Sequence, residues 1–169
     1  MVPEAPAVRP ATAADAAAIA AIFNQGIEDR VATFETGEQT PERVAQLIGQ
    51  RPVALVAEVE GAVAAFAWVA PYDDAHGYYA GVGEATMYVD RSTRRSGVGR
   101  VLLNALAAAA ADAGLHKLVG KVFTSNEPSI AMLRSLGWRE VGVHHRHGRL
   151  DGEWKDVLVV ELLVGDAAS

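Results

Sequence analysis

The chain has no cysteine. That excludes disulfide scaffolds, zinc ribbons, iron–sulfur centres and thiol nucleophiles. It also lacks any run of about 18 unbroken apolar residues, so no membrane-spanning helix is expected. The longest apolar run, 101–111, is broken by Asn104. Basic residues are the minority charge, 15 Lys+Arg against 21 Asp+Glu for a net charge of −6, which disfavours the basic field that nucleic-acid binding needs. The first ten residues show no apolar core behind a basic patch, so no secretory signal is expected and a cytoplasmic location is the default.

What is present is a folding chain of 169 residues, 50% hydrophobic and 21% charged. Its length suits one domain spanning 1–169, with 1–7 and 165–169 as loose tails. Much of the apolar excess is alanine, which favours helix but buries little, so Leu, Ile, Val, Phe and Trp must build the core.

Residues 8–10 suit a short strand. Thr12 and Asp15 resemble a capping box, and Ile19, Ile22, Phe23 and Ile27 follow at helical spacing, which predicts a helix over about 13–29. Residues 33–37 have no period and read as loop. Thr40-Pro41 opens a second helix with Val44, Leu47 and Ile48 on its apolar face. Segments 53–59 and 62–69 form a hairpin about Glu60-Gly61, and 71–77 is a loop. Segment 84–89 alternates, with Ala85, Met87 and Val89 on one face and Glu84, Thr86 and Tyr88 on the other. A helix over 97–113, a strand over 117–123 and a short helix over 126–136 come next. Strands over 138–143 and 156–163 end the chain, joined by a long connection carrying Asp151-Gly152. The order predicts a mixed α/β domain with one sheet.

The most informative segment is Val89-Asp-Arg-Ser-Thr-Arg-Arg-Ser-Gly-Val-Gly-Arg100, where a strand runs through a glycine-bearing turn into a long helix. The first N–H groups of a helix have no internal partner and lie at the positive end of its dipole, which suits an anion. Gly97 and Gly99 would let an oxyanion approach the backbone, and Arg91, Arg94, Arg95 and Arg100 gather four cations in ten residues. The pattern is not a Walker loop, since Arg100-Val101 follows Gly99, nor a dinucleotide fingerprint, since Leu102 stands where a third small residue is needed. An ordinary helix start with solvated arginines is the alternative.

Arg94-Arg-Ser-Gly-Val-Gly99 resembles the Gln/Arg-x-x-Gly-x-Gly/Ala loop of the GNAT N-acetyltransferases, which holds the pyrophosphate of acetyl-CoA. Asn126-Glu-Pro-Ser129 through Leu136-Gly137-Trp138 resembles that family's second motif, on a helix lining the pantetheine end. Further segments are similar to phosphinothricin and arsinothricin N-acetyltransferases: 22–27, 32–36, 83–89 and 146–154. The likeness runs over about 8–164.

The resemblance implies a GNAT-like α+β fold, a single mixed and mostly antiparallel sheet of about seven strands flanked by about four helices, and usually a homodimer. It implies acetyl-CoA as co-substrate and no metal. The cofactor contacts it implies are the backbone of Met87 and Val89, the loop residues Arg94, Arg95, Ser96, Gly97, Val98, Gly99 and Arg100, and Asn126 and Ser129. Glu84 takes the position of the family's strand glutamate and is the expected general base, acting directly or through a water on an α-ammonium. Partial desolvation on a central strand would raise its pKa. Pairing with a surface arginine is the alternative. An N–H near Val89 is the expected oxyanion donor. No tyrosine follows Tyr88, and Leu133 stands where some relatives carry histidine, so no general acid is assigned. The departing substrate proton or solvent would quench the thiolate.

The implied acceptors are small zwitterions with a second acidic group. Arg149 is the expected cation by resemblance, with pairing to Asp151 or Asp156 as the alternative. Phe34, Thr33, Trp68, Tyr72 and Thr86 are candidate walls. Many relatives carry an arginine in the loop after the third strand. This chain has Asp73 and Asp74 there, which makes a less acidic or cationic amine thinkable. On a regular strand His145 and His147 share a face and His144 points away, and a solvated or substrate-rim face is favoured over a metal site. The rival functions are acetylation of a protein N-terminus, a ribosomal protein or a polyamine, and a non-catalytic acyl-CoA sensor.

Overall fold

A computed structural model describes residues 4–72 and 75–169. Four helices, α1 (Ala16–Asp29), α2 (Pro41–Gln50), α3 (Val98–Asp112) and α4 (Glu127–Ser135), accompany seven strands. The strands are β1 (Ala7–Pro10), β2 (Val53–Val59), β3 (Ala62–Pro71), β4 (Val82–Val89), β5 (Lys117–Phe123), β6 (Arg139–Leu150) and β7 (Glu153–Leu163). They form one sheet in the order β1-β2-β3-β4-β5-β7-β6. Every pairing is antiparallel except β4 with β5.

Helices cover both faces of the sheet centre, which is why Ala64–Val69 of β3 reads as a continuous apolar run and is buried throughout. On one face Leu102, Leu103 and Leu106 of α3 and Ile130 and Leu133 of α4 pack on Leu55, Ala67 and Leu118. On the other, Ile19, Phe23 and Ile27 of α1 and Val44 and Leu47 of α2 pack on Val56, Phe66 and Trp68. Phe23, Phe66, Trp68 and Tyr88 make a run of tilted, edge and stacked contacts 4.8–6.1 Å apart, centroid to centroid.

The sequence places most elements within two residues of their observed ends. The largest difference is the stretch over 144–155. It is not a long connection but the far half of a β6–β7 hairpin turned by Asp151 (φ 50°) and Gly152 (φ 81°), a two-residue turn in the left-handed region. β6 is the sheet edge and is exposed from Arg139 to His147, so that stretch has no buried face to impose an alternation. A bulge lets His145, Arg146 and His147 oppose the single Asp156. The Asp156 carboxylate accepts from the Arg146 N–H at 2.7 Å and lies 3.1 Å from Nδ1 of His145. The bulge turns the expected histidine pairing around: the rings of His144 and His147 stack at 4.3 Å, and His145 points elsewhere. The expected C-terminal tail instead folds as a 3-10 turn, Gly165–Ala168, behind a buried Val164. At the other end β1 already begins at Ala7, and residues 1–3 lie outside the described residues, as do Asp73 and Asp74.

One polar cluster ties β1, β2 and the entry to α1 together. Arg9 donates to both carboxylate oxygens of Asp15, each at 2.8 Å, and to Glu58 at 2.6 and 3.0 Å. Asp15 also accepts the Thr12 N–H at 2.8 Å, the expected capping contact. The Arg9 guanidinium, chiefly by hydrogen bonding, holds the Asp15 carboxyl down at about 2, from an ordinary 3.8.

Asp15→Asn is expected to lower stability by about 1–3 kcal/mol at pH 7. Because the folded-state pKa is depressed, this stabilisation is complete above about 3.8 and is lost as pH falls through about 2. Urea unfolding of both proteins at pH 7 and near pH 2 should show the gap closing. A gap unchanged by acid would deny Asp15 this role.

Candidate active site

The parallel pair β4–β5 holds together only at its start. Val82 pairs with Lys117, Gly83 with Leu118 and Glu84 with Val119, and no register partner follows. Beyond that point β4 runs on to Val89 and β5 to Phe123, and the two diverge. The wedge between them is a cleft of about 280 Å³. Glu84 to Tyr88 line one wall and Gly120 to Phe123 the other; Asn126, Ser129, Met132 and Leu133 of the α4 segment close one side.

The β4 wall offers backbone. Asp90 N–H bonds Ala64 O at 2.8 Å while Val89 faces Ala65, so Tyr88 and Thr86 turn their amides to β3; the Ala85 amide is taken up by the Glu84–Val119 pairing with β5, and Met87 and Val89 turn theirs to the gap. These groups form a free strand edge inside the molecule. Beyond it α3 begins. Val101 N–H is bonded to Gly97 O at 3.2 Å, and the earlier amides of Val98, Gly99 and Arg100 lie in the first turn, where no intrahelical acceptor exists.

The two loop glycines serve different ends. Gly97 has φ 89° and open space where a side chain would stand. A Cβ on Gly99 would lie 3.2 Å from the Met87 methyl and 3.4 Å from Val89, so that glycine admits close packing of α3 on β4. The arginines divide too. Arg91 pairs with Glu28 and Asp29, and Arg94 pairs with Asp29 at 2.7 Å while its Nε lies 3.4 Å from Val89 O. Arg100 donates to the Ser135 hydroxyl at 2.7 Å, bridging α3 to α4. Gln25 of α1 fixes the start of the loop by donating to Asp90 at 2.8 Å and accepting from Arg91 N–H at 2.9 Å.

The loop between α1 and α2 roofs the cleft. Asn24 pins it by exchanging two hydrogen bonds with the Gln39 backbone, at 2.8 and 3.0 Å. Thr33 and Phe34 thereby reach the cleft. Phe34 packs edge-on against Phe123 at 4.8 Å, and its ring occupies the space a Cβ on Gly148 would need, the nearest ring atom lying 2.6 Å away. Asn126 caps α4, its side chain accepting from Ser129 N–H at 3.4 Å.

Glu84 is the last residue of β4 paired with β5, at the apex of the wedge. Its carboxylate accepts from the Lys121 ammonium across the gap at 3.1 Å, with the Glu84 side chain one-third exposed. The alternative reading of Glu84 is pairing with a surface arginine; the residue opposite is a lysine of the diverging strand. Glu84, Thr86, Tyr88 and Thr33 also line a second cleft of about 440 Å³ on the α1–α2 side, with Glu35, Gln39, Arg43, Arg51 and Trp68. Burial pushes the Tyr88 phenol up, a hydrogen bond with Thr33 opposing it.

The structure thus brings together Glu84, Thr86, Met87, Asn126, Ser129 and Phe34, with the loop at 94–100 starting beyond the end of β4. It does not bring in Arg149 or Tyr72. The Arg149 guanidinium lies over the exposed Trp154 ring at 4.2 Å, and Tyr72 packs on Tyr79; neither lines the wedge or the second cleft. In the His-Gly-Arg segment it is Gly148 that shapes the cleft. Lys121, Arg43 and Arg51 escaped sequence reasoning, because a basic residue near a helix end or on a strand reads as a solvated charge. Among the described residues no three side chains of metal-ligating type converge.

Comparison with known proteins gives one answer. The model of the acetyltransferase (GNAT) family matches residues 18–138. The phosphinothricin N-acetyltransferase of Streptomyces viridochromogenes is 35% identical over 153 residues, covering 89% of this chain and 83% of that protein. A ribosomal-protein-alanine N-acetyltransferase from Brucella melitensis superposes with TM-score 0.89 at 31% identity, over 94% of this chain and 99% of that one. A putative acetyltransferase from Salmonella typhimurium, solved with acetyl-CoA, superposes with TM-score 0.90 at 26% identity, over 98% of each chain.

The Gly148–Phe34 contact predicts non-additive stabilities. Gly148→Ala must displace the Phe34 ring and should cost about 1–2 kcal/mol. In a Phe34→Ala background the same change should be nearly neutral. A double-mutant cycle by urea unfolding measures the coupling, and strict additivity would show that the ring is not held there.

Proposed function

The chain belongs to the acetyltransferase (GNAT) family and takes its acyl group from acetyl-CoA, and from that premise we propose that it acetylates the α-amine of a small amino acid analogue of the phosphinothricin, arsinothricin or methionine sulfoximine type. The observation that carries the reading is the position of Glu84, where the wedge between β4 and β5 meets the second cleft. A carboxylate there stands between a groove fit for an extended donor and a pocket fit for a small acceptor. The 35% identity with a phosphinothricin N-acetyltransferase supports the acceptor class.

The residues present fit acetyl-CoA. The gap-facing amides of Met87 and Val89 suit the amide groups of the pantetheine arm, as an added strand would. The α3 amides from Val98 to Arg100, with Arg94, Arg95 and Ser96 beside them, suit the pyrophosphate. Gly97 makes that turn without strain. Asn126 and Ser129 lie toward the thioester end. When bound, acetyl-CoA supplies an activated acyl group on a thioester.

Glu84 takes one proton from the acceptor's ammonium, directly or through a water, and so frees the nitrogen lone pair. The Lys121 ammonium holds the carboxylate in place until the acceptor arrives. Of the gap-facing amides, that of Met87 lies nearer Glu84 than that of Val89, the donor expected from the resemblance, and is the better placed for the developing oxyanion. Leu133, which lines the cleft, has no proton to give, so the thiolate is quenched by the acceptor's own proton or by solvent. Two copies pair in this reading, along the edge strand β6 where Val141 and Val143 are exposed, and the protein works in the cytoplasm. Sedimentation at micromolar concentration tests the pairing, and a monomer would refute it.

Glu84→Gln should lower kcat by about 10²–10³-fold and leave acetyl-CoA affinity unchanged. Unchanged turnover removes Glu84 from the chemistry. Gly97→Ala should weaken acetyl-CoA binding and cost about 1 kcal/mol in stability, because alanine resists a φ of 89°. Thiol release against a panel of phosphinothricin, methionine sulfone, polyamines and an alanine-ended peptide tests the acceptor. Turnover confined to the peptide or the polyamines would overturn the reading.

A further inference from the structure

Arg51 is the unexplained charge of the second cleft. It caps the C-terminus of α2 just before β2, with its guanidinium carbon 5.6 Å from the Trp68 ring centroid. Its Nε is buried and has no hydrogen-bond partner, the lone such side-chain atom among the described residues. The second guanidinium of that cleft, Arg43, is exposed at the rim. Among the described residues neither arginine forms an ion pair, although acids outnumber bases 21 to 15 in this chain and most other arginines do find a carboxylate or hydroxyl. Burial, reinforced by the Arg43 charge, pushes Arg51 below its ordinary value, and Glu84 only partly offsets this. An anion entering the cleft would relieve both penalties.

The polarity of the cleft is ordered. Glu84, whose carboxylate faces the wedge, and Glu35 are its acids; Arg43 and Arg51 are its bases; Thr33, Gln39 and Thr86 add hydrogen-bonding groups; Trp68 and Phe23 are apolar wall. That is the charge pattern of a zwitterion's host. We infer that Arg51, assisted by Arg43, is the acceptor's acid-binding subsite, fixing a carboxylate or phosphinate of the substrate while its amine faces Glu84. This supplies the cation that the loop after β3 lacks and that Arg149, stacked on Trp154, does not provide within this chain. A guanidinium suits the task because its fork binds a carboxylate or phosphinate through two parallel hydrogen bonds.

The inference rests on the acceptor class proposed above, and the test separates the two. Steady-state kinetics at saturating acetyl-CoA would compare the full-length protein with Arg51→Gln, Arg51→Lys and Arg43→Gln. The acceptors are phosphinothricin, with a side-chain acid and an α-carboxylate, and methionine sulfone, with the α-carboxylate alone. Arg51→Gln should raise acceptor KM on the order of 30-fold, with kcat and the KM for acetyl-CoA little changed. Arg51→Lys should recover part of the loss, and Arg43→Gln, at the solvent edge, should cost on the order of 5-fold. A rise confined to phosphinothricin assigns the subsite to the side-chain acid, and an equal rise for both assigns it to the α-carboxylate. If both glutamine variants keep KM within about twofold for acceptors the parent turns over, the subsite is wrong and the acceptor class stands. If the parent turns over no acid-bearing acceptor, the acceptor class falls and the subsite with it.

Discussion

The three-residue length of the β4–β5 pairing is the constraint on which the rest depends. A parallel pair is held by the same backbone bonds as any other, and here those bonds stop at Glu84 and Val119. The strands then separate because each is committed elsewhere: β4 to β3 along its whole length, β5 to β7 along its whole length. Two antiparallel half-sheets meet at a short parallel seam and splay. The splay leaves the Met87 and Val89 amides facing a gap with no strand opposite, where unsatisfied backbone groups are costly, and so provides a strand edge for a ligand. It also puts Glu84 at the apex, reachable from both faces of the sheet.

Around that seam the polar groups are divided between holding and binding. Gln25, Asn24, Asp29 and Glu28 hold: they tie α1 to the loop after β4 and pin the roof that carries Phe34. Arg91 and Arg94 are largely spent on Asp29 and Glu28, so the cationic character of the loop is smaller than its arginines suggest. The α3 amides and Arg51 are left without partners. Binding groups in this molecule are recognisable as those the fold has not satisfied.

Much of this was legible in the chain. Hydrophobic spacing placed β2, β5 and α1 closely, and Asn126 and Ser129 line the cleft between β4 and β5, with the loop at 91–100 starting beyond the end of β4. What was not legible has particular physical causes. β6 carries no period because it is exposed from Arg139 to His147. His144 and His147 meet because a bulge opposes three residues of β6 to Asp156 alone. Gly99 also makes room for Met87 and Val89 against α3, a packing role that its motif does not display. Arg149 matched a segment shared with relatives, yet its side chain lies over Trp154 while the neighbouring Gly148 does the shaping.

The sequence by itself determined the elements, their order, and the strand–loop–helix unit whose free amides suit an anion, because these follow from periodicity and from helix ends, which are local properties. Only the tertiary structure decided that β4 and β5 part after Glu84, that Lys121 faces that carboxylate, and that Arg51, 33 residues before Glu84, stands unpaired in the same cleft. Charge partners are chosen by what the sheet brings near, and sheet neighbours such as β4 and β5 are joined by pairing across a crossover helix. Nothing in the local run of residues records where that pairing ends.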